Sequence, residues 1–224
     1  MNRTGPRYLI FLLLALLVAL TSLPFIGQAF HIDDRLYLEV AEHALENPAF
    51  PYDYPLLFEG LRSPDGASHS HLPLTCYYLA LAMLLTGSRQ EWVFHLFFML
   101  FPLIAAISFY SLARRYVKSA GTAVCLLLLS PVFLTLGHNL MTDVPMLAFW
   151  LLALSRFLKL LDGSGDRVDM ALLAVALLCS AFLSMLTMGL VILLVSGLIA
   201  RKFLPVHRSQ GFFRRGEDRY PGEA

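Results

Sequence analysis

Charged residues and cysteines are both scarce in this chain, and each scarcity argues against a class of protein. Lysine, arginine, aspartate and glutamate make up only 15% of the 224 residues, and the formal net charge is +1. Such a balance gives no basic surface for nucleic acid or another polyanionic partner. The three cysteines lie in separate apolar segments without Cys-x-x-Cys spacing, at Cys76, Cys125 and Cys179. Neither a disulfide framework nor a cysteine zinc site is therefore expected.

Apolar residues, by contrast, are abundant. They make up 58% of the chain, and the mean hydropathy is +0.66. A soluble core of this size does not need several apolar runs, whereas a helix needs about 20 apolar residues to cross the ~30 Å hydrocarbon core of a bilayer. The sequence therefore predicts an all-α, polytopic membrane protein with about five to six transmembrane helices, plus juxtamembrane helices in the first outer loop.

The apolar runs and the basic residues between them predict a topology. The runs expected to cross are residues 8–23, 92–113, 120–137 and 146–161, together with about 31 apolar residues at 170–200, too many for one span. The shorter run at 72–86 is expected to be juxtamembrane or re-entrant. The basic cluster at 114–118 then falls on the cytoplasmic side with Arg3 and Arg7, as the positive-inside rule requires. The segment from His138 to Asp143 falls on the outer face with Asp33.

These spans define a membrane domain over residues 1–204 with a cytoplasmic N-terminus, and a disordered cytoplasmic tail over 205–224. The first outer loop, residues 28–73, contains most groups that could carry chemistry. An amphipathic helix is expected near its start, with Asp33 or Asp34 as its N-cap and Asn47-Pro48 as its end. Such a helix would lie along the membrane interface.

Three sets of residues are candidates for a site. Asp33 and Asp34 could simply cap a helix, but one carboxylate would suffice for that, and two adjacent carboxylates repel each other. Asp143 sits at a junction between two spans and could equally be a cap or a functional group. His69 and His71 point the same way in an extended chain and could form half of a metal site, or position a phosphate or a sugar hydroxyl.

The order of several motifs resembles the polytopic glycosyltransferases of family 39, which include protein O-mannosyltransferases and lipid A aminoarabinose transferases and have the GT-C fold. The acidic pair is followed by a Tyr-containing helix (Asp33-Asp34-Arg35-Leu36-Tyr37), and a His-Pro-Pro-Leu-like entry to an apolar helix comes next (His71-Leu72-Pro73-Leu74). Gly87 to Trp92 forms a Gly-x-x-x-Glu-Trp junction, and Met141-Thr142-Asp143-Val144-Pro145 resembles the Thr-Asp entry to a later span.

The resemblance implies a membrane enzyme at the plasma (inner) membrane that transfers a sugar from a polyprenyl-phosphate donor to a lipid, glycan or protein acceptor at the extracytoplasmic face. Asp33 would be the catalytic base, with Asp34 and Asp143 completing the catalytic carboxylates. Substrate binding is expected at His71, Arg35, Tyr37 and His69. No cofactor is identified and no metal ligands are assigned, although a divalent metal is compatible with the sequence.

Four departures from the family pattern support a second interpretation. The pair is Asp-Asp where Asp-Glu is usual, the His-Pro-Pro motif is His-Leu-Pro, and Thr187-Met188-Gly189 lacks the Lys found in many relatives. The chain also resembles only the N-terminal half of such a protein. The alternative is a non-catalytic membrane remnant or subunit that binds polyprenyl phosphate or a partner. A transporter is a third option. The sequence argues against it, because the unambiguous spans carry no charged residue near their middle.

Overall fold

The computed structural model describes residues 5–58, 61–63, 73–184, 189 and 192–197, and most of these are helical. The helices are α1 (Gly5–Ser22), α2 (Ile32–Glu46), α3 (Leu74–Thr86), α4 (Glu91–Phe98), α5 (Leu100–Tyr116), α6 (Ala120–Leu128), α7 (Pro131–Leu136), α8 (Asp143–Leu161) and α9 (Arg167–Leu183). A 3-10 turn at Leu23–Phe25 follows α1. The all-α class is confirmed. The predicted tail, 205–224, lies outside the described residues.

A short antiparallel hairpin is the exception to the helical architecture. Strands β1 (Leu56–Phe58) and β2 (Leu61–Ser63) pair with each other in the stretch that we expected to be loop. Each strand has three residues. The hairpin therefore adds a local feature to the first outer loop without changing the fold class.

Three helical segments among the described residues are long and apolar enough to cross a membrane. They are Tyr8–Phe25, Glu91–Tyr116 and Asp143–Leu161. They coincide with three of the predicted spans. Helix α3 is a shorter apolar helix of 13 residues, and its juxtamembrane position stays a prediction. The total of about five to six spans stays a prediction.

The apolar run at 120–137 forms two helices where the sequence predicted one span. Helix α6 ends at Leu128, and α7 begins at Pro131. The Ser130 hydroxyl accepts a hydrogen bond from the backbone N–H of Phe133 at 3.3 Å, which caps α7. Proline lacks the N–H that a continuous helix would need, and it suits the first helical position. Pro131 and Ser130 together account for the interruption.

Helix α5 packs against α1, α6 and α8, while α8 also packs against α9. An aromatic cluster joins α3, α4, α5 and α8: Tyr78 packs edge-on against Phe98 and Phe101, and Phe101 against Phe149, with ring centroids 4.9–6.1 Å apart. Each such pair adds about 0.5–1.5 kcal/mol beyond its buried area. The cluster fixes α3 against the spans that carry the rest of the fold.

The amphipathic pattern of α2 is confirmed. Its apolar face, which includes Tyr37, Val40 and Ala41, is buried, and α2 packs against α3. The residues on its other face, Arg35, Glu39, Glu42 and Glu46, are exposed. The N-terminus of α2, where the acidic pair lies, is therefore held in place by the helix's own packing.

Candidate functional site

The first turn of α2 carries both carboxylates of the acidic pair, but neither is the N-cap. Helix α2 begins at Ile32, and its N-cap is His31, which has extended backbone angles (φ −66°, ψ 161°). Asp33 and Asp34 are the second and third residues of the helix, so the capping prediction was wrong in register. Negative charge in a first helical turn is still favoured, by about 0.3–1 kcal/mol at exposed positions.

Asp34 joins α2 to a distant segment of the chain. One carboxylate oxygen, Oδ2, accepts a hydrogen bond from the His31 backbone N–H at 2.8 Å. The other, Oδ1, accepts one from the Leu140 backbone N–H, also at 2.8 Å. Asp34 is fully buried, and burial raises its pKa although the two backbone hydrogen bonds oppose the rise. Asp34 thus holds the segment before α8 against the start of α2.

Tyr37 brings Asp33 and Asp143 into one neighbourhood. Its side chain is buried one helical turn after Asp33, and its hydroxyl is hydrogen-bonded to the side chain of Thr142. Burial raises the pKa of Tyr37 to about 12, and the nearby negative charges of Asp143 and Asp33 contribute to the rise. The predicted topology puts Asp33 and Asp143 on the outer face of the membrane, and in the structure both carboxylates lie near the Tyr37 side chain.

The position of Asp143 follows from the start of α8. Thr142 is the N-cap and Asp143 is the first residue of the helix, so the carboxylate lies in the first turn. The preceding residues are anchored, because Leu140 and Thr142 are buried and each is bonded to a residue of α2. A rigid helix start therefore presents Asp143 beside the acidic pair.

The two carboxylates of the pair differ in their surroundings. Asp33 is half-buried, whereas Asp34 is fully buried and both of its oxygens accept backbone hydrogen bonds. A general base must reach the proton that it removes, to about 2.6–3.2 Å. Asp33 is the member of the pair that an acceptor hydroxyl could approach.

The structure does not bring every predicted site residue to this cluster. Arg35 is exposed, and it forms no ion pair with any residue of the described segments. His69 and His71 lie outside the described residues. The described residues also contain no group of three His, Cys, Asp or Glu side chains placed to hold a metal ion.

Two histidines near the cluster did not feature among the predicted site residues. His95 is buried, and its Nε2 lies 3.1 Å from the backbone oxygen of Gln28. His138 is buried and stacks on Phe25 with ring centroids 4.2 Å apart. Each is a histidine in an otherwise apolar stretch, which is a weak signal because such a residue usually fills a core position.

Residues 68–209 of the chain match the protein family described as dolichyl-phosphate-mannose-protein mannosyltransferase. This segment covers more than half of the chain and includes Asp143, whereas α2 with its acidic pair precedes it. No curated protein and no solved structure shows a significant match to the chain.

Proposed function

Because this chain belongs to the dolichyl-phosphate-mannose-protein mannosyltransferase family of membrane glycosyltransferases, we propose that it transfers a sugar from a polyprenyl-phosphate donor to a hydroxyl group of a lipid, glycan or protein acceptor. The acceptor side of the reaction lies at the extracytoplasmic face of the plasma (inner) membrane, and the N-terminus is cytoplasmic. This proposal is supported by the apolar helices at Tyr8–Phe25, Glu91–Tyr116 and Asp143–Leu161, which are long and apolar enough to cross a membrane, where a polyprenyl lipid is available.

The observation that carries the proposal is that the start of α2, which bears Asp33, is hydrogen-bonded through Asp34 to the segment just before Asp143. Asp33 and Asp143 come from different parts of the chain, one from the outer loop and one from the start of a span. Intramembrane and interfacial carboxylates are costly, so two that the fold brings together at the starts of two joined helices are candidates for chemistry.

Asp33 acts as the general base in this mechanism. Its carboxylate accepts the proton of the acceptor hydroxyl while the acceptor oxygen attacks the anomeric carbon of the sugar. The bond between that carbon and the donor phosphate oxygen breaks, and polyprenyl phosphate leaves with the electron pair. The attack comes from the side opposite the leaving group, so the anomeric configuration inverts.

The other site residues support this step. Asp34, which is bonded at both oxygens, keeps the start of α2 against the Leu140 segment and so fixes where Asp33 stands. Asp143 adds negative charge beside the anomeric carbon, where positive charge develops as the leaving group departs. Arg35 is exposed two residues after Asp33, and a guanidinium is well suited to a phosphate. His69 and His71 are proposed to bind the sugar or the phosphate.

The donor class is tested with membranes from cells that express the chain, compared with membranes from cells that lack it. Radiolabelled mannose is supplied either as polyprenyl-phosphate mannose or as a nucleotide sugar, with endogenous acceptors present. The proposal expects label to enter lipid, glycan or protein when polyprenyl-phosphate mannose is supplied alone, with no nucleotide sugar present. If expression added no transfer from any polyprenyl-phosphate sugar, while the chain still bound the lipid donor, the non-catalytic alternative would replace the proposal.

A further inference from the structure

A cavity lies beside the acidic cluster, and Asp33, Asp34 and Asp143 do not line it. It has a volume of about 330 Å³, and it is lined by Phe25, Gln28, His31, Leu134, Thr135, His138 and Asn139. These residues come from the turn after α1, the residue before α2, and the stretch from α7 to α8. Sites for small ligands usually measure about 300–1,000 Å³, so this cavity is large enough for one small ring.

The lining combines a mostly apolar surface with several side chains that can form hydrogen bonds. Gln28, His31, Thr135, His138 and Asn139 can all form hydrogen bonds, and none of the described residues that line the cavity is a Lys, Arg, Asp or Glu. Burial lowers the pKa of His138, and the nearby His95 adds to the effect, so the surroundings favour the neutral ring. A neutral ligand rich in hydroxyl groups matches this lining better than an anion does.

His138 also has a hydrogen-bonding capacity that the described part of the protein leaves unused. Its side chain is only 9% exposed, and its Nε2 atom is buried without a hydrogen-bond partner. Leaving a buried polar atom unpaired is costly, and most such atoms in folded proteins have a protein or water partner. The stacked Phe25 ring covers one face of the imidazole and gives the site an apolar wall.

We propose that this cavity is a binding site for a neutral, hydroxyl-bearing group of the size of a single sugar ring. Apolar Phe25 and Leu134 contact the ring, and the polar side chains bond its hydroxyl groups. The site is distinct from the proposed transfer site because Asp33, Tyr37 and Asp143 do not line it.

The cavity is nevertheless linked to Asp34. Asp34 accepts one hydrogen bond from the backbone N–H of His31, which lines the cavity. It accepts a second from the backbone N–H of Leu140, which directly follows the lining residue Asn139. A ligand in the cavity therefore contacts the two segments that Asp34 holds together. The ring could belong to a free saccharide or to the headgroup of a membrane glycolipid.

The test uses the purified full chain in nanodiscs of phosphatidylcholine, with its histidines labelled with ¹⁵N and the His138 signal assigned from a His138→Gln variant. The probes are methyl mannoside, methyl glucoside and, as an anionic comparator, inorganic phosphate. We expect a saturable shift of the His138 signal with a sugar probe, at a half-saturation on the order of millimolar, as is usual for so small a ligand. The His43 signal, from α2 and outside the lining, should not move.

Two tryptophan variants on α7 provide the matched comparison. Thr135→Trp fills the cavity from an exposed lining position, and Val132→Trp adds the same side chain at an exposed position of the helix that does not line it. The shift should be lost in the first variant and kept in the second. A second arm compares nanodiscs with and without a monoglucosyl lipid. A His138 shift that appears with this lipid identifies a headgroup as the source, and one that appears only with free sugar identifies a saccharide.

The proposal is overturned if neither the free sugars nor the glycolipid gives a saturable His138 shift. It is also overturned if the shift persists in Thr135→Trp, or if phosphate alone produces it. The readout is binding without turnover, so these results are independent of whether the chain transfers sugar.

Discussion

Asp33 and Asp34 are adjacent in the chain, but their carboxylates have different surroundings. Asp34 is buried and accepts backbone hydrogen bonds from His31 and Leu140, while Asp33 is half-buried. The same difference separates two kinds of effect on mutation. Changes at Asp34 should act mainly on stability, and changes at Asp33 mainly on transfer.

The first prediction concerns the stability contribution of Asp34. Asp34→Ala removes the acceptor of two backbone N–H groups, one of them on the fully buried Leu140. A buried donor without a partner costs about 1–3 kcal/mol, so we expect a loss of about 2–4 kcal/mol in the free energy of unfolding. The measurement is denaturant unfolding in detergent. Asp33→Ala is the control and should change stability by less than about 1 kcal/mol. An equal loss in both variants would contradict the distinction.

The second prediction concerns pH and follows from the raised pKa of Asp34. Folding favours the protonated form of a group whose pKa is higher in the folded than in the unfolded state. The stability that Asp34 contributes is therefore full below its unfolded pKa and is lost as the pH rises through its folded pKa. Asp34→Asn does not titrate, so the stability of the wild type relative to this variant should increase as the pH falls from 7 towards 4. A pH-independent difference between the two proteins would contradict the burial argument.

At the scale of elements, α8 and α9 are joined by a buried carboxylate. Asp169, in the first turn of α9, is 3% exposed and bonded to Arg156 and Lys159 of α8. Its backbone N–H also donates to Asp166 at 2.9 Å, which caps α9. The packing of these two helices thus includes an ionic contact where the loop between them turns.

The third prediction is that this contact stabilises the helix pair. Asp169→Asn leaves two cations without their shared carboxylate, and breaking a buried pair costs about 3–5 kcal/mol when the partner remains buried. Arg156 and Lys159 are partly exposed, so we expect about 2–3 kcal/mol in denaturant unfolding. Asp162→Asn is the matched control, because Asp162 is 58% exposed and pairs with Arg115. A loss no larger than that of the control would show that the contact contributes little.

The limits of sequence-based prediction are also clearest for elements. The pattern of α2 and the start of α8 could be predicted because apolar spacing and Thr-Asp-x-Pro are local signals. The interruption before Pro131 has a local signal as well, the proline itself, but the prediction of a span rested on the apolar run alone. The bond between Asp34 and Leu140 could not be predicted, since its partners are 106 residues apart and one of them is a backbone N–H without a sequence signature.

At the scale of the whole molecule, the topology decides whether the acidic cluster faces the compartment that contains the acceptor. The fourth prediction tests it in a variant whose native cysteines are replaced. A cysteine at the exposed position of Asp53 should react with a membrane-impermeant thiol reagent in intact cells, and one at the exposed position of Lys118 should not. Labelling of Lys118→Cys without labelling of Asp53→Cys would invert the proposed orientation.

Three features of the whole molecule support the account: membership of a glycosyltransferase family, helices long and apolar enough to cross a membrane, and carboxylates at the starts of two helices that are hydrogen-bonded together. The central claim is that Asp33 is the base for sugar transfer. Glu39 is a suitable control site, because it lies on the exposed face of the same helix and outside the cluster. Asn at position 33 keeps the size of the side chain and one oxygen, so folding and abundance should be preserved.

The most direct measurement is the initial rate of sugar transfer from the polyprenyl-phosphate donor in membranes that contain matched amounts of wild type, Asp33→Asn and Glu39→Gln. General-base catalysis contributes about 10²–10⁴-fold, so the account predicts that Asp33→Asn retains about a hundredth of the wild-type rate or less, and that Glu39→Gln stays near wild type. A rate above about a tenth of wild type for Asp33→Asn, at normal abundance, would contradict the assignment of the base.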